Sequence, residues 1–86
     1  MVQVGRRALR SGDLVVPKTG TWIELWYQPE GNLDSSDIVT RCRLGLLLGR
    51  VEVEWMTGKR VTKAMVFDGE HMKVGWCEAR FLKRVE

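Results

Sequence analysis

Leu44-Gly45-Leu46-Leu47-Leu48-Gly49, followed by Val51-Glu52-Val53-Glu54-Trp55, decides the fold class of this chain. Val51, Val53 and Trp55 alternate with Glu52 and Glu54, the period of two expected of a strand with one buried face. Thr57-Gly58-Lys59 reads as a hairpin-type turn. Arg60 to Phe67 returns as the next strand, with Val61, Met65 and Phe67 on one face beside Lys63. The period places Trp55 in the core and leaves Glu52 and Glu54 on a solvated face.

Outward from that pair, Asp68-Gly69-Glu70 is a turn signal and Met72 to Cys77 a further strand, with Val74 and Trp76 sharing a face and Trp76 expected in the core. Glu78-Ala79-Arg80 reads as one tight helical turn, and Phe81-Leu82-Lys83-Arg84-Val85 closes the chain as a short strand. Upstream, Gly12-Asp13 turns into the strand Leu14-Val15-Val16. That strand stops, or lies on an edge, at Pro17, which has no N–H to give a ladder. Ile38 to Arg43 alternates weakly and is a further strand candidate. No window sustains a period of 3.6, so the chain reads as all-β, with about five to six short strands.

Eighty-six residues make one domain. A domain of that size buries about 60–65% of its unfolded surface, so a partner or an oligomer would add needed stability. Met1 to Ser11 reads as a short basic arm ahead of a body spanning 12–86. Three of the 14 bases lie in residues 1–12, which hold no acid, leaving 11 bases against 11 acids in the rest. A dedicated nucleic-acid module carries its basic excess on the folded face itself, so a neutral body argues against nucleic acid. No run approaches the roughly 18 apolar residues of a membrane span, and the arm lacks the apolar stretch of a secretory signal. The chain is expected to be neither membrane-bound nor secreted. Cys42 and Cys77, without any C-x-x-C spacing, read as two buried thiols.

Chemistry is sparse. His71 is the single histidine, and Cys42, His71 and Cys77 cannot supply the four ligands of a structural zinc site. His71 beside Glu70 reads as a solvated turn residue. No nucleophile elbow, phosphate loop or dinucleotide fingerprint occurs. The chain therefore reads as non-enzymatic, with no catalytic residue, no metal and no cofactor. The one unusual segment is Thr21-Trp22-Ile23-Glu24-Leu25-Trp26-Tyr27. As a strand it shows Trp22, Glu24 and Trp26 on one face and Ile23, Leu25 and Tyr27 on the other. A domain this small normally buries only one face. Trp22, Ile23, Trp26 and Tyr27 are accordingly the candidate protein-binding residues, because large rings supply much buried area with few rotors. Arg6, Arg7 and Arg10 of the arm join them, as partners for an acidic groove or for phosphates.

In order and spacing, Gly12-Asp13-Leu14-Val15-Val16, Leu44 to Gly49, Val53-Glu54-Trp55 with Gly58, and Trp76-Cys77-Glu78 with Leu82-Lys83-Arg84-Val85 resemble the small SH3-like β-barrel proteins encoded by tailed bacteriophages. Four short pieces between Gly12 and Val85 carry the resemblance. Where such barrels pass quickly from first to second strand, this chain inserts Lys18 to Arg43, in the long loop where SH3-like barrels often keep their binding surface. The resemblance implies a small SH3-like barrel with that long loop (18–43) and an N-terminal arm (1–11). It also implies a structural role in a head, connector or tail assembly, in the virion or the host cytoplasm. The expected partners are protein subunits of that assembly, with self-association among the forms this takes. A nucleic-acid-binding barrel, or an inhibitor of a host enzyme, are the alternatives.

Overall fold

Antiparallel pairing joins seven strands into one sheet in the computed structural model, which describes residues 8–30, 37–54 and 57–86. They are β1 (Leu14–Pro17), β2 (Ile23–Trp26), β3 (Ile38–Cys42), β4 (Gly45–Glu54), β5 (Arg60–Asp68), β6 (Lys73–Glu78) and β7 (Leu82–Arg84). Their spatial order is β3-β2-β6-β5-β4-β1-β7. The long β4–β5 hairpin is the spine, turning through Gly58 at φ 81°, a left-handed backbone that glycine adopts without strain. A single 3-10 turn, Ala79–Phe81, separates β6 from β7 as the sequence suggests.

The sheet is curled into a half-barrel. Val15 of β1 and Leu82 of β7, at one end of the strand order, share one buried cluster with Ile23, Leu25 and Cys42 of β2 and β3, at the other end. They meet only because the sheet bends round between them, over Leu47, Ala64, Val66 and Cys77. Burying a Val or Leu side chain is worth about 1.5–3 kcal/mol, so this cluster is what holds the curl. Pro17 sits where its chemistry allows: β1 pairs with β4 only through Leu14 and Val15, while Pro17 faces Leu82 across the β7 ladder. Its missing N–H falls on the side that β4 has left.

Two expectations are corrected here. The first is the strand count. The stretch 18–43, which the sequence leaves open as hairpin or coil, contains the β2–β3 hairpin, paired from Ile23↔Cys42 to Trp26↔Ile38, and this hairpin extends the sheet beyond β6. It raises the strand count to seven.

The second correction concerns which face of β4 points inward. A bulge between Leu47 and Gly49 inserts one residue, Leu48, and an inserted residue reverses the alternation beyond it. Leu47 pairs with Val66 on the core side. Past the bulge, Arg50 pairs with Ala64 and Glu52 with Thr62 on that same side, while Val51 and Val53 turn outward. Val51 is 41% exposed. Trp55, expected inside, lies outside the described residues. Trp76, also expected inside, is only partly buried and lies on the outer face, paired with Met65 and Trp26. The inward positions of β6 belong to Gly75 and Cys77.

Gly75 is small for a reason. A Cβ there would stand 2.6 Å from Leu25 Cβ and 3.1 Å from both the Leu25 carbonyl carbon and the Trp26 carbonyl oxygen. The close passage of β2 over β6 thus requires glycine. Gly75→Ala is expected to destabilise the fold by about 1–3 kcal/mol, the usual cost of overpacking. Urea unfolding of the two proteins checks this, and equal midpoints would show that β2 can move aside.

Candidate functional site

β2 and β6 are paired only at Trp26↔Trp76 and diverge toward Gly20 and Glu78. The divergence opens a cleft of about 820 Å³, with Trp22, Trp26 and Phe81 among its walls beside Glu24, Lys63 and Glu78. Trp22 is 46% exposed, and the Arg43 guanidinium lies over its ring at 4.7 Å, within cation–π range. Phe81 is half exposed. Tyr27, 72% exposed, lies just past the end of β2. Of the residues that sequence singled out, Trp22, Ile23 and Trp26 therefore border the cleft, with Tyr27 outside it. Ile23 does not belong to the exposed surface: it is 4% exposed and part of the core, because β2 keeps the strand period and buries Ile23 with Leu25. Phe81 was missed, since its strand contribution masked its place at the cleft lip.

Arg6 and Arg7 lie outside the described residues. Arg10 is exposed and away from the cleft, and the chain around it is fastened to the barrel. Its N–H donates to Asp13 Oδ2 at 2.8 Å, Gly12 N–H donates to the Leu47 carbonyl, and the Ser11 hydroxyl donates to the Leu48 carbonyl. Ser11 thereby satisfies the carbonyl of the bulge residue itself.

The outer face of the sheet is largely apolar, crossed by one row in which Val51 stands beside Lys63 and Glu78. Trp26, Trp76 and Met65 form one cross-strand row that ends at Gly49, above which a Cβ would meet nothing within 4 Å. Val74, Phe67, Leu46 and Leu14 form the next, and Val53 with Val61 a third. Val74 and Val51 are the most open of these on the central strands.

The inner face changes character where the core stops. Beyond Ala64 the hairpin carries Arg50, Lys59 and Arg60, and these face Lys83 and Arg84 of β7 across an open groove of about 1010 Å³. Its floor is Leu9, Ala79 and Leu82. Lys59 and Arg60 thus enter this groove, while Arg41, Arg43 and Lys63 stand on or near the aromatic cleft.

His71 is not a plain solvated residue. Asp68, fully buried, accepts from the Thr40 hydroxyl at 2.9 Å, from the Glu70 and His71 N–H groups at 3.0 and 3.3 Å, and lies 2.6 Å from His71 Nδ1. Asp-Gly-Glu-His is the sequence signal for this, an Asp accepting from backbone two and three residues on. Asp68, Glu70 and His71 hold potential metal-ligand atoms within 4.8 Å of one another, yet both Asp68 oxygens are already engaged. Thr40 Oγ1 lies 3.3 Å from the same ring nitrogen that meets Asp68. The arrangement fixes the imidazole and the β5–β6 turn; among the described residues it places no hydroxyl on the far nitrogen, as a nucleophile–base pair requires. Cys42 and Cys77 are free and buried, as expected. Burial pushes their thiols up to about 11 and about 12, with Asp68 and Cys42 respectively adding to the shift, so both stay protonated. Among the described residues no helix is long and apolar enough to cross a membrane.

Burial alone would raise the Asp68 carboxyl, but the His71, Thr40 and backbone hydrogen bonds outweigh it and hold it below its ordinary 3.8. A carboxylate with a lowered folded value stabilises the fold above its unfolded value, and that contribution is lost as pH falls through the folded one. Stability is therefore expected to decline below about pH 4, and Asp68→Asn to flatten that decline while costing about 2–3 kcal/mol near neutrality. Urea midpoints across pH 2–7 check both; an acid limb unchanged in Asp68→Asn would assign it to other carboxylates.

The chain matches no family model, no curated protein and no solved structure.

Proposed function

We propose that this chain is a non-enzymatic interaction module, an SH3-like half-barrel that packs against neighbouring protein subunits in a larger assembly. The observation that carries this reading is the sheet's second apolar face. Its inner face is covered by the core cluster, while Val51, Val74 and Leu14 stand open on the outer face among Trp76, Met65 and Phe67. Contiguous exposed apolar surface on a small domain marks a contact surface. The aromatic cleft continues that surface through Trp26 to Trp22, and its rings are the residue types that anchor interfaces. The resemblance of the strand motifs to small barrels of tailed phages supports a virion assembly, as a head, connector or tail part.

Light scattering over a concentration series, with binding of an apolar dye, tests the reading. The parent protein is expected to associate and to bind dye. Val51→Glu combined with Val74→Glu is expected to remain folded and to weaken association about a hundredfold. Each buried valine contributes about 1.5 kcal/mol or more, and 1.4 kcal/mol is tenfold in affinity. A parent that stays monomeric without binding dye, or a double variant that associates unchanged, overturns the outer face as an interface.

A further inference from the structure

We propose that the basic groove on the inner side of the β4–β5 hairpin binds single-stranded nucleic acid along its phosphodiester backbone. This goes beyond the protein-docking reading and uses the opposite face of the sheet. The body of the chain is neutral, yet its charges are not evenly spread. Arg50, Lys59 and Arg60 form one wall of the groove. Lys18, Arg80, Lys83 and Arg84 form the other; Glu78 and Glu86 oppose them in the lining, and Glu52 and Glu54 stand on the hairpin's same side against Arg60. The bulge in β4 is what turns Arg50 inward to this wall.

Three of these cations have carboxylate partners: Arg60 with Glu52 and Glu54 at 3.5 and 4.0 Å, Arg80 with Glu78 at 2.9 Å, and Arg84 with Glu86 at 2.8 Å. Each of these pairs has at least one largely exposed member, and exposed pairs are worth little, so a phosphate can displace them cheaply. Lys18, Arg50, Lys59 and Lys83 make no ion pair with another described residue. Arginine forks on both walls suit a phosphate approached from two sides.

The neighbourhood favours a single strand. The floor of Leu9, Ala79 and Leu82 is apolar, and beside it the half-exposed Phe81 ring lies under the Arg80 guanidinium at 4.8 Å. Rings beside a cationic track serve unpaired bases, whose faces are free to stack. A duplex hides those faces, and an acidic peptide has none.

Fluorescence anisotropy with a labelled oligothymidylate of about 15 nucleotides, in a salt series from roughly 20 mM, tests the proposal. Four phosphate contacts give a slope of about −3 in log affinity against log salt. Arg50→Ala with Lys83→Ala is expected to bring the slope to about −1.4 and to weaken binding about 25-fold at 0.1 M salt. Lys18→Ala with Lys59→Ala, on the same walls, is expected to do the same and stands in if the first pair fails to fold. Lys73→Glu shifts the net charge by the same amount outside the groove and is expected to change affinity less than about twofold. Absence of binding at low salt overturns the proposal. So does equal affinity for a duplex of the same length or for polyglutamate, and so does equal weakening by the Lys73→Glu control.

Discussion

One extra residue in β4 governs both surfaces of this sheet. Up to Leu47 the strand feeds the core; after Leu48 the same strand sends valines outward and an arginine inward. A continuous ladder would have placed Val51 and Val53 over the hairpin's inner side, extending the core and closing the groove. The bulge ends the core instead, so the far half of the hairpin is free to present apolar residues on one side and charge on the other. Ser11 ties the arm to this arrangement by donating to the Leu48 carbonyl that the irregular ladder leaves over.

Much of the architecture is legible in local pattern. The strands from Gly45 to Glu78, the turn at Gly58, the tight turn at Ala79 and the end of β1 near Pro17 all follow from period and from Gly and Pro chemistry. The alternation of Ile23 and Leu25 against Trp22 and Glu24 is also legible, and the structure buries Ile23 and Leu25. Phase was not legible across the bulge. Leu47, Leu48 and Leu46 are the same residue type, so nothing in the run Leu46-Leu47-Leu48 marks which leucine is supernumerary, and a slip of one exchanges every later residue between faces. Trp76 misled for a related reason. Size suggested an interior position, but the crossing of β2 leaves room on β6 only for Gly75 and Cys77 on that side.

The surfaces were less legible than the strands, because they are assembled from distant segments. The aromatic cleft joins Trp22 and Trp26 to Phe81, and the basic groove joins Lys18 to Arg50 and Lys83. Summing charge along the chain hides such segregation, since the acids that balance the body mostly stand elsewhere. His71 shows the same limitation at short range: the Asp-Gly-Glu-His turn is readable, but the Thr40 hydroxyl that completes it comes from β3.

The strand order also constrains how the chain is made. β1 lies between β4 and β7, so its two hydrogen-bonding sides are filled by segments synthesised roughly thirty and seventy residues later. Until the ribosome has released Leu82, Val15 lacks the neighbour that closes the buried cluster. Partial chains that stop short of Leu82 therefore leave one side of an apolar strand unpaired. Long-range pairing of this kind slows folding and exposes sticky intermediates, so the curl of the sheet waits on the meeting of its first strand with its last.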